Sequence, residues 1–141
     1  MMSYNINDYE PFRAGQYSVF TSSENGCKHI GHNTKHQHVR QFKVDGEVFR
    51  GPEEERCDYL LLNDEVKTSY YIELKGSDLP KAIRQIENTI KLLSSSLPGY
   101  AVQRRIVYHT GRSHNIWPSD VIRWKRKYDA VIKERQWSEN I

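Results

Sequence analysis

Three residues in the middle of the chain carry the strongest chemical signal: Asp58, Glu73 and Lys75, within RCDYLLLNDEVKTSYYIELKG, residues 56–76. Carboxylates are hard oxygen donors. Mg²⁺ is commonly held by one or two of them together with substrate phosphates and water. Asp58 and Glu73 would therefore make a divalent-cation site if their strands are neighbours. Lys75, two residues beyond Glu73, would sit beside the metal. An ammonium there can orient or help deprotonate a water, or offset charge that builds on a phosphate. An isolated Glu-x-Lys is more often a surface ion pair of little energetic weight, so the elements around these residues matter.

Those elements are strands followed by a helix. Residues 57–62 are a short apolar run opened by Asp58, and residues 63–68 are polar and turn-like. Residues 69–75 are rich in β-branched and aromatic side chains. Strand alternation puts Tyr71, Glu73 and Lys75 on one face and Ile72 and Leu74 on the other, toward a core. Gly76 ends the strand. Residues 39–49 read as a hairpin about Asp45-Gly46, so strands 39–44, 57–62 and 69–75 form an antiparallel meander. In residues 80–97, Ile83, Ile86, Ile90, Leu93 and Leu97 recur at helical steps, with Asp78 as cap and Pro80 in the first turn. Residues 100–109 form a further strand, parallel to 69–75 through a right-handed crossover.

This arrangement resembles the PD-(D/E)xK nuclease superfamily, the restriction-endonuclease-like fold. The matching residues are Asp58 and Glu73-Leu74-Lys75, within about residues 42–97; Cys57 stands where the motif's proline would be. The resemblance implies a mixed β-sheet flanked by helices in a single α/β domain spanning residues 1–141. It also implies Mg²⁺-dependent (or Mn²⁺-dependent) hydrolysis of nucleic-acid phosphodiesters. Asp58, Glu73 and the Leu74 backbone carbonyl would bind metal, and Lys75 would be the family lysine. A third carboxylate often joins such sites; Glu24 and Glu55 (or its neighbours Glu53 and Glu54) are the candidates. In part of the superfamily a glutamine on the following helix approaches the metal, and Gln85 matches it. Thr89 stands where a tyrosine would follow.

Composition sets bounds on this. A chain of 141 residues suits one domain with a core of its own. The net charge of +3 is modest, but its distribution is uneven. Residues 52–79 hold eight acids against three cations, whereas residues 101–141 hold nine cations against four acids. An acidic centre beside a basic flank suits an enzyme that holds both a cation and a polyanion. Two cysteines make no disulfide framework. No signal-peptide pattern and no apolar run of membrane-spanning length stand out. The expectation is a cytoplasmic protein without a membrane partner.

Residues 16–21 read as a short strand. Residues 27–38, with Cys27, His29, His32, His36 and His38, read as a polar loop near phosphate or simply exposed. A zinc site there is a third, weaker reading, because the spacing lacks paired regularity. Residues 119–137 read as a second amphipathic helix. Val121, Trp124, Tyr128, Val131 and Ile132 line its apolar side, and Arg123, Arg126, Lys127 and Lys133 its basic side. Clustered Lys and Arg displace counterions from phosphates, so this face is the expected nucleic-acid contact. The combined expectation is a weakly sequence-specific or structure-dependent nuclease. An endonuclease is favoured over an exonuclease and DNA over RNA, and a homodimer is allowed. The alternative is a non-catalytic nucleic-acid- or protein-binding module that keeps the nuclease fold.

Overall fold

β-branched and aromatic runs separated by short polar turns pair with their nearest neighbours in sequence, and the centre of this protein does so. The computed structural model describes residues 4–51, 55–74, 77–109 and 117–141. Strands β4 (Val39–Lys43), β5 (Tyr59–Asn63) and β6 (Thr68–Leu74) form the antiparallel meander. Helix α1 (Leu79–Leu93) then crosses over, and β7 (Ala101–Tyr108) lies parallel to β6 with Leu74 opposite Val107. Asp78 caps α1 by accepting the Lys81 N–H at 3.0 Å, with Pro80 in the first turn. Two edge strands complete the mixed sheet. β1 (Arg13–Gly15) pairs antiparallel with β4, and β8 (Val131–Glu134) pairs parallel with β7, giving the order β1-β4-β5-β6-β7-β8.

Both faces of the central strands are covered, so β5 and β6 are buried almost throughout rather than on alternate residues. On one face, Leu60, Leu62 and Tyr71 pack with Ile86 and Leu93 of α1 and with Val121 and Trp124 of α2 (Ser119–Tyr128). On the other, Leu61, Ile72 and Leu74 pack with Phe20, Cys27 and Val107 beneath a second sheet. That sheet has the order β2-β3-β9, from β2 (Val19–Glu24), β3 (Cys27–His32) and β9 (Gln136–Asn140), with β3 and β9 parallel. The fold is α/β, with sheets of six and three strands. No helix among the described residues is long and apolar enough to cross a membrane.

Three expectations from the sequence need correction. The helix expected over 119–137 stops at Tyr128. Asp129 adopts a left-handed conformation (φ 51°), and the Ala130 N–H bonds back to the Lys125 carbonyl at 3.0 Å. Val131, Ile132 and Lys133 therefore belong to a strand. Residues 27–32 are a strand and not a loop, because Cys27, His29 and Gly31 alternate inward. The Asp45-Gly46 turn exists, with Gly46 at φ 105°, but Phe49 folds back locally onto the Val44 carbonyl instead of starting a paired return strand. Val44, Val48 and Phe49 are tucked into the helix-side core, where Phe49 meets the Tyr4 ring edge-on. Core burial therefore prevails over hairpin extension.

Candidate active site

The meander register brings the two principal acids together. Tyr59 pairs with Ile72, so one residue further on Asp58 stands against Glu73. Both are inside the protein, Asp58 at 6% and Glu73 at 1% exposure. An Asp58 Oδ2 oxygen accepts the Leu74 N–H at 2.8 Å, and the Asp58 N–H donates to the Ile72 carbonyl at 3.1 Å. Glu73 stands level with Ile106 of β7, which stands level with Ile132 of β8, and both isoleucines belong to the helix-side core. In-register neighbours share a face, so Glu73 points toward the helices. Lys75 lies outside the described residues.

Polar residues of α1 hold the approach to Asp58. Gln85 Nε2 donates to the Arg56 carbonyl at 3.3 Å, and Asn88 Nδ2 donates to the Glu55 carbonyl. Thr89 Oγ1 accepts the Cys57 N–H at 2.8 Å and donates to the Gln85 carbonyl at 2.7 Å. Residues 55–57 thus gain backbone partners that no strand supplies. Thr89 is fully buried. Burial pushes the Cys57 thiol up; the Thr89 hydroxyl opposes this, and the negative charges of Glu73 and Asp58 add to it. The thiol stays protonated, and both carboxylates act on it.

The other candidates are distributed unevenly. Gln85 lies against the segment leading to Asp58, through its bond to the Arg56 carbonyl. Glu55 is exposed and pairs with Arg84 at 3.5 Å on the surface of α1. Glu24 is exposed at the end of β2, beside Tyr59, whose hydroxyl donates to the Ser23 carbonyl at 3.2 Å. Burial raises the Tyr59 phenol, and Glu24, Asp58 and Glu47 raise it further while the Ser23 carbonyl lowers it. Glu47 is an acid near Tyr59 that the sequence reading did not single out; it follows the Asp45-Gly46 turn, whose local fold-back carried no pattern. Asn88 and Thr89 were missed as positioning residues because hydropathy treats them as neutral.

The basic face is only partly as expected. Arg123, Arg126 and Lys127 are exposed on α2. Lys133 is not on that helix. It sits on β8 opposite Val107, with its ammonium 5.0 Å from the Trp137 ring centre, toward the second sheet. Trp124 is core, and its indole N–H donates to Glu87 at 3.3 Å. Arg104 grips the same Glu87 at 2.6 Å and stacks 3.7 Å from the Tyr128 ring centre, tying α1, β7 and α2 together.

The residues of the zinc reading do not converge. His29 is buried against Glu139 at 2.7 Å, His32 meets Ser138 at 2.7 Å, and His38 meets Asp64 at 3.1 Å. Among the described residues, no three His, Cys, Asp or Glu side chains gather into a metal-holding group. Asp58 and Glu73 supply two hard oxygen donors, and the Leu74 carbonyl adjoins them in sequence. That donor set suits a small divalent cation and does not suit a thiophilic one. Comparison with protein-family models, curated proteins and solved structures finds no match to this chain.

Proposed function

We propose that this protein is a metal-dependent phosphodiesterase of nucleic acid with a restriction-endonuclease-like core. The observation that carries the reading is the facing pair of buried carboxylates, Asp58 and Glu73, at one end of adjacent strands. The order of elements supports it: an antiparallel meander bearing both acids, a crossover helix bearing Gln85, then a parallel strand. Two facing carboxylates inside the protein offer the hard oxygen donors that a small divalent cation prefers.

Asp58, Glu73 and the Leu74 carbonyl would hold Mg²⁺ or Mn²⁺, which when bound supplies Lewis-acid polarisation of the phosphodiester and a more acidic water. Asp58 is fixed in place by the Leu74 N–H and, through residues 55–57, by Gln85, Asn88 and Thr89. Lys75, two residues after Glu73 in the sequence, is the residue proposed to orient the water or offset phosphate charge. Arg123, Arg126 and Lys127 are proposed to meet backbone phosphates.

The test is cleavage of supercoiled plasmid, single-stranded DNA and structured RNA in Mg²⁺, Mn²⁺ or EDTA. The reading expects metal-dependent cutting that Asp58→Asn, Glu73→Gln and Lys75→Ala each reduce by at least about a hundredfold. Folded protein that cuts none of the substrates would refute it, and cutting that survives all three substitutions would refute the site.

A further inference from the structure

We infer that the sheet edge at β1 is a stacking platform for unpaired nucleotides, so that the carboxylate pair acts on single-stranded nucleic acid; the second half of this statement rests on the nuclease reading above. Of the five large apolar side chains exposed among the described residues, Phe12, Tyr17 and Val19 lie within eight residues of one another along the chain. Phe12 and Tyr17 are about half exposed, at 49% and 48%.

Both rings are held in place. Gly15 takes φ +140°, and a Cβ there would stand 3.3 Å from the Tyr17 ring, so glycine allows the ring to lie against the backbone. Tyr17 meets buried Phe20 edge-on at 5.9 Å, and the Arg13 guanidinium sits 4.0 Å from the Tyr17 ring centre. The Phe12 N–H donates to the Gln41 carbonyl at 2.7 Å, and the Lys43 ammonium sits 4.2 Å from the Phe12 ring centre. Each exposed ring therefore carries its own cation.

That pairing matches one class of ligand. Single strands are bound by aromatic rings on which bases stack and by cations that track the phosphates. A duplex keeps its bases stacked on each other and offers such rings no face. An apolar protein partner would cover the rings but strand Arg13 and Lys43, whereas a polyanion uses both. The platform and the site lie on opposite faces of the sheet but at the same end of its strands. Lys43 pairs with Tyr59 of the second-sheet core, and Asp58, the residue before Tyr59, faces the helices, its carbonyl accepting the Val44 N–H at 2.9 Å. Strand β1 lies two positions from β5 in the sheet, roughly 10 Å away at ordinary strand spacing. An extended single strand that rounds the end of this sheet edge can reach from one face to the other.

The test is fluorescence anisotropy with a labelled oligothymidylate and with a labelled duplex, in EDTA, so that binding is read apart from hydrolysis. Wild-type protein should prefer the oligothymidylate. Phe12→Ala and Tyr17→Ala should each weaken that binding about 5- to 150-fold, while Phe12→Trp retains it and duplex binding stays put. Circular dichroism checks the fold, and the Phe12 pair of variants decides the matter if Tyr17→Ala unfolds. Equal binding by Phe12→Ala and wild type, no binding to oligothymidylate, or an equal preference for duplex would overturn the platform. If the ring variants lose binding but no protein cleaves, the platform stands and the nuclease reading fails. If the protein cleaves and Phe12→Ala binds normally, the reverse holds.

Discussion

Glu139→Gln measures how far the second sheet depends on one carboxylate. Glu139 on β9 meets His29 Nε2 at 2.7 Å and receives the Arg105 fork at 2.7 and 2.9 Å. Burial pushes its carboxyl up. The hydrogen bonds from His29 and Arg105, with the Arg105 charge, outweigh this and hold it at about 2 against an ordinary 4.5. A carboxyl depressed on folding adds stability that is fully present above about pH 4.5 and is lost as pH falls toward about 2. At about 1.4 kcal/mol per tenfold change, the ceiling is roughly 3 kcal/mol. The side chain is still 14% open to solvent, and screening there brings the expectation to about 2 kcal/mol. Removing the charge also strands Arg105, only 7% exposed, which adds an offset that does not vary with pH. The assay is urea unfolding of wild type and Glu139→Gln at a series of pH values from about 7 to about 2.5. The wild-type advantage should shrink by about 2 kcal/mol across the acid half of the series. Parallel curves would refute the reasoning, because they would mean that Glu139 titrates alike in the folded and unfolded chains.

Two further outcomes follow from packing and hydrogen bonding. Thr89→Val keeps the shape of a fully buried side chain but removes the acceptor of the Cys57 N–H. It should cost about 1–3 kcal/mol in urea unfolding and lower any cleavage by loosening Asp58, whereas Thr89→Ser should keep most of both; a neutral Thr89→Val would show that the bond does not hold the segment. A Cβ at Gly31 would stand 2.9 Å from Ile141 Cδ1 and 3.1 Å from its Cγ2. Gly31→Ala should therefore cost about 1 kcal/mol, and adding Ile141→Ala should recover part of it; strictly additive costs in the double-mutant cycle would refute the contact.

What could be read from the sequence was local. The meander and α1 declare themselves because their signals, turn residues and apolar periodicity, operate over a few residues. Even there the buried stripe is rotated. Leu79, Ala82, Ile86, Thr89 and Leu93 are inside, while Ile83 and Ile90 are only partly covered. Small and hydroxyl side chains fit against the sheet and the 55–57 segment where bulk would not, and a hydropathy pattern gives them no weight. The end of α2 was invisible because an aspartate takes the left-handed position usually given to glycine, so Val131 and Ile132 continued the helical stripe without a break. Strand β3 was hidden for another reason. Its inward residues are Cys27, His29 and Gly31, and His29 is buried only because Glu139 meets it from the far end of the chain. Asp58 and Glu73 were legible as a pair, since a short turn joins their strands. Asn88 and Thr89 were not, since each acts through a hydrogen bond to chain distant in sequence.

The parallel pairing of β3 with β9 has a consequence for the order of folding. Strands β5 and β6 need only a four-residue turn to meet, and β6 reaches β7 through one helix. Such near-neighbour contacts form cheaply and early. Strand β3 cannot gain its second neighbour, nor His29 its carboxylate, until a segment more than a hundred residues later arrives. On a ribosome, the two acids of the candidate site would already face each other while the layer behind them was still open to water. Strand β9 therefore acts as a latch: it seals a layer behind a candidate site that was assembled first.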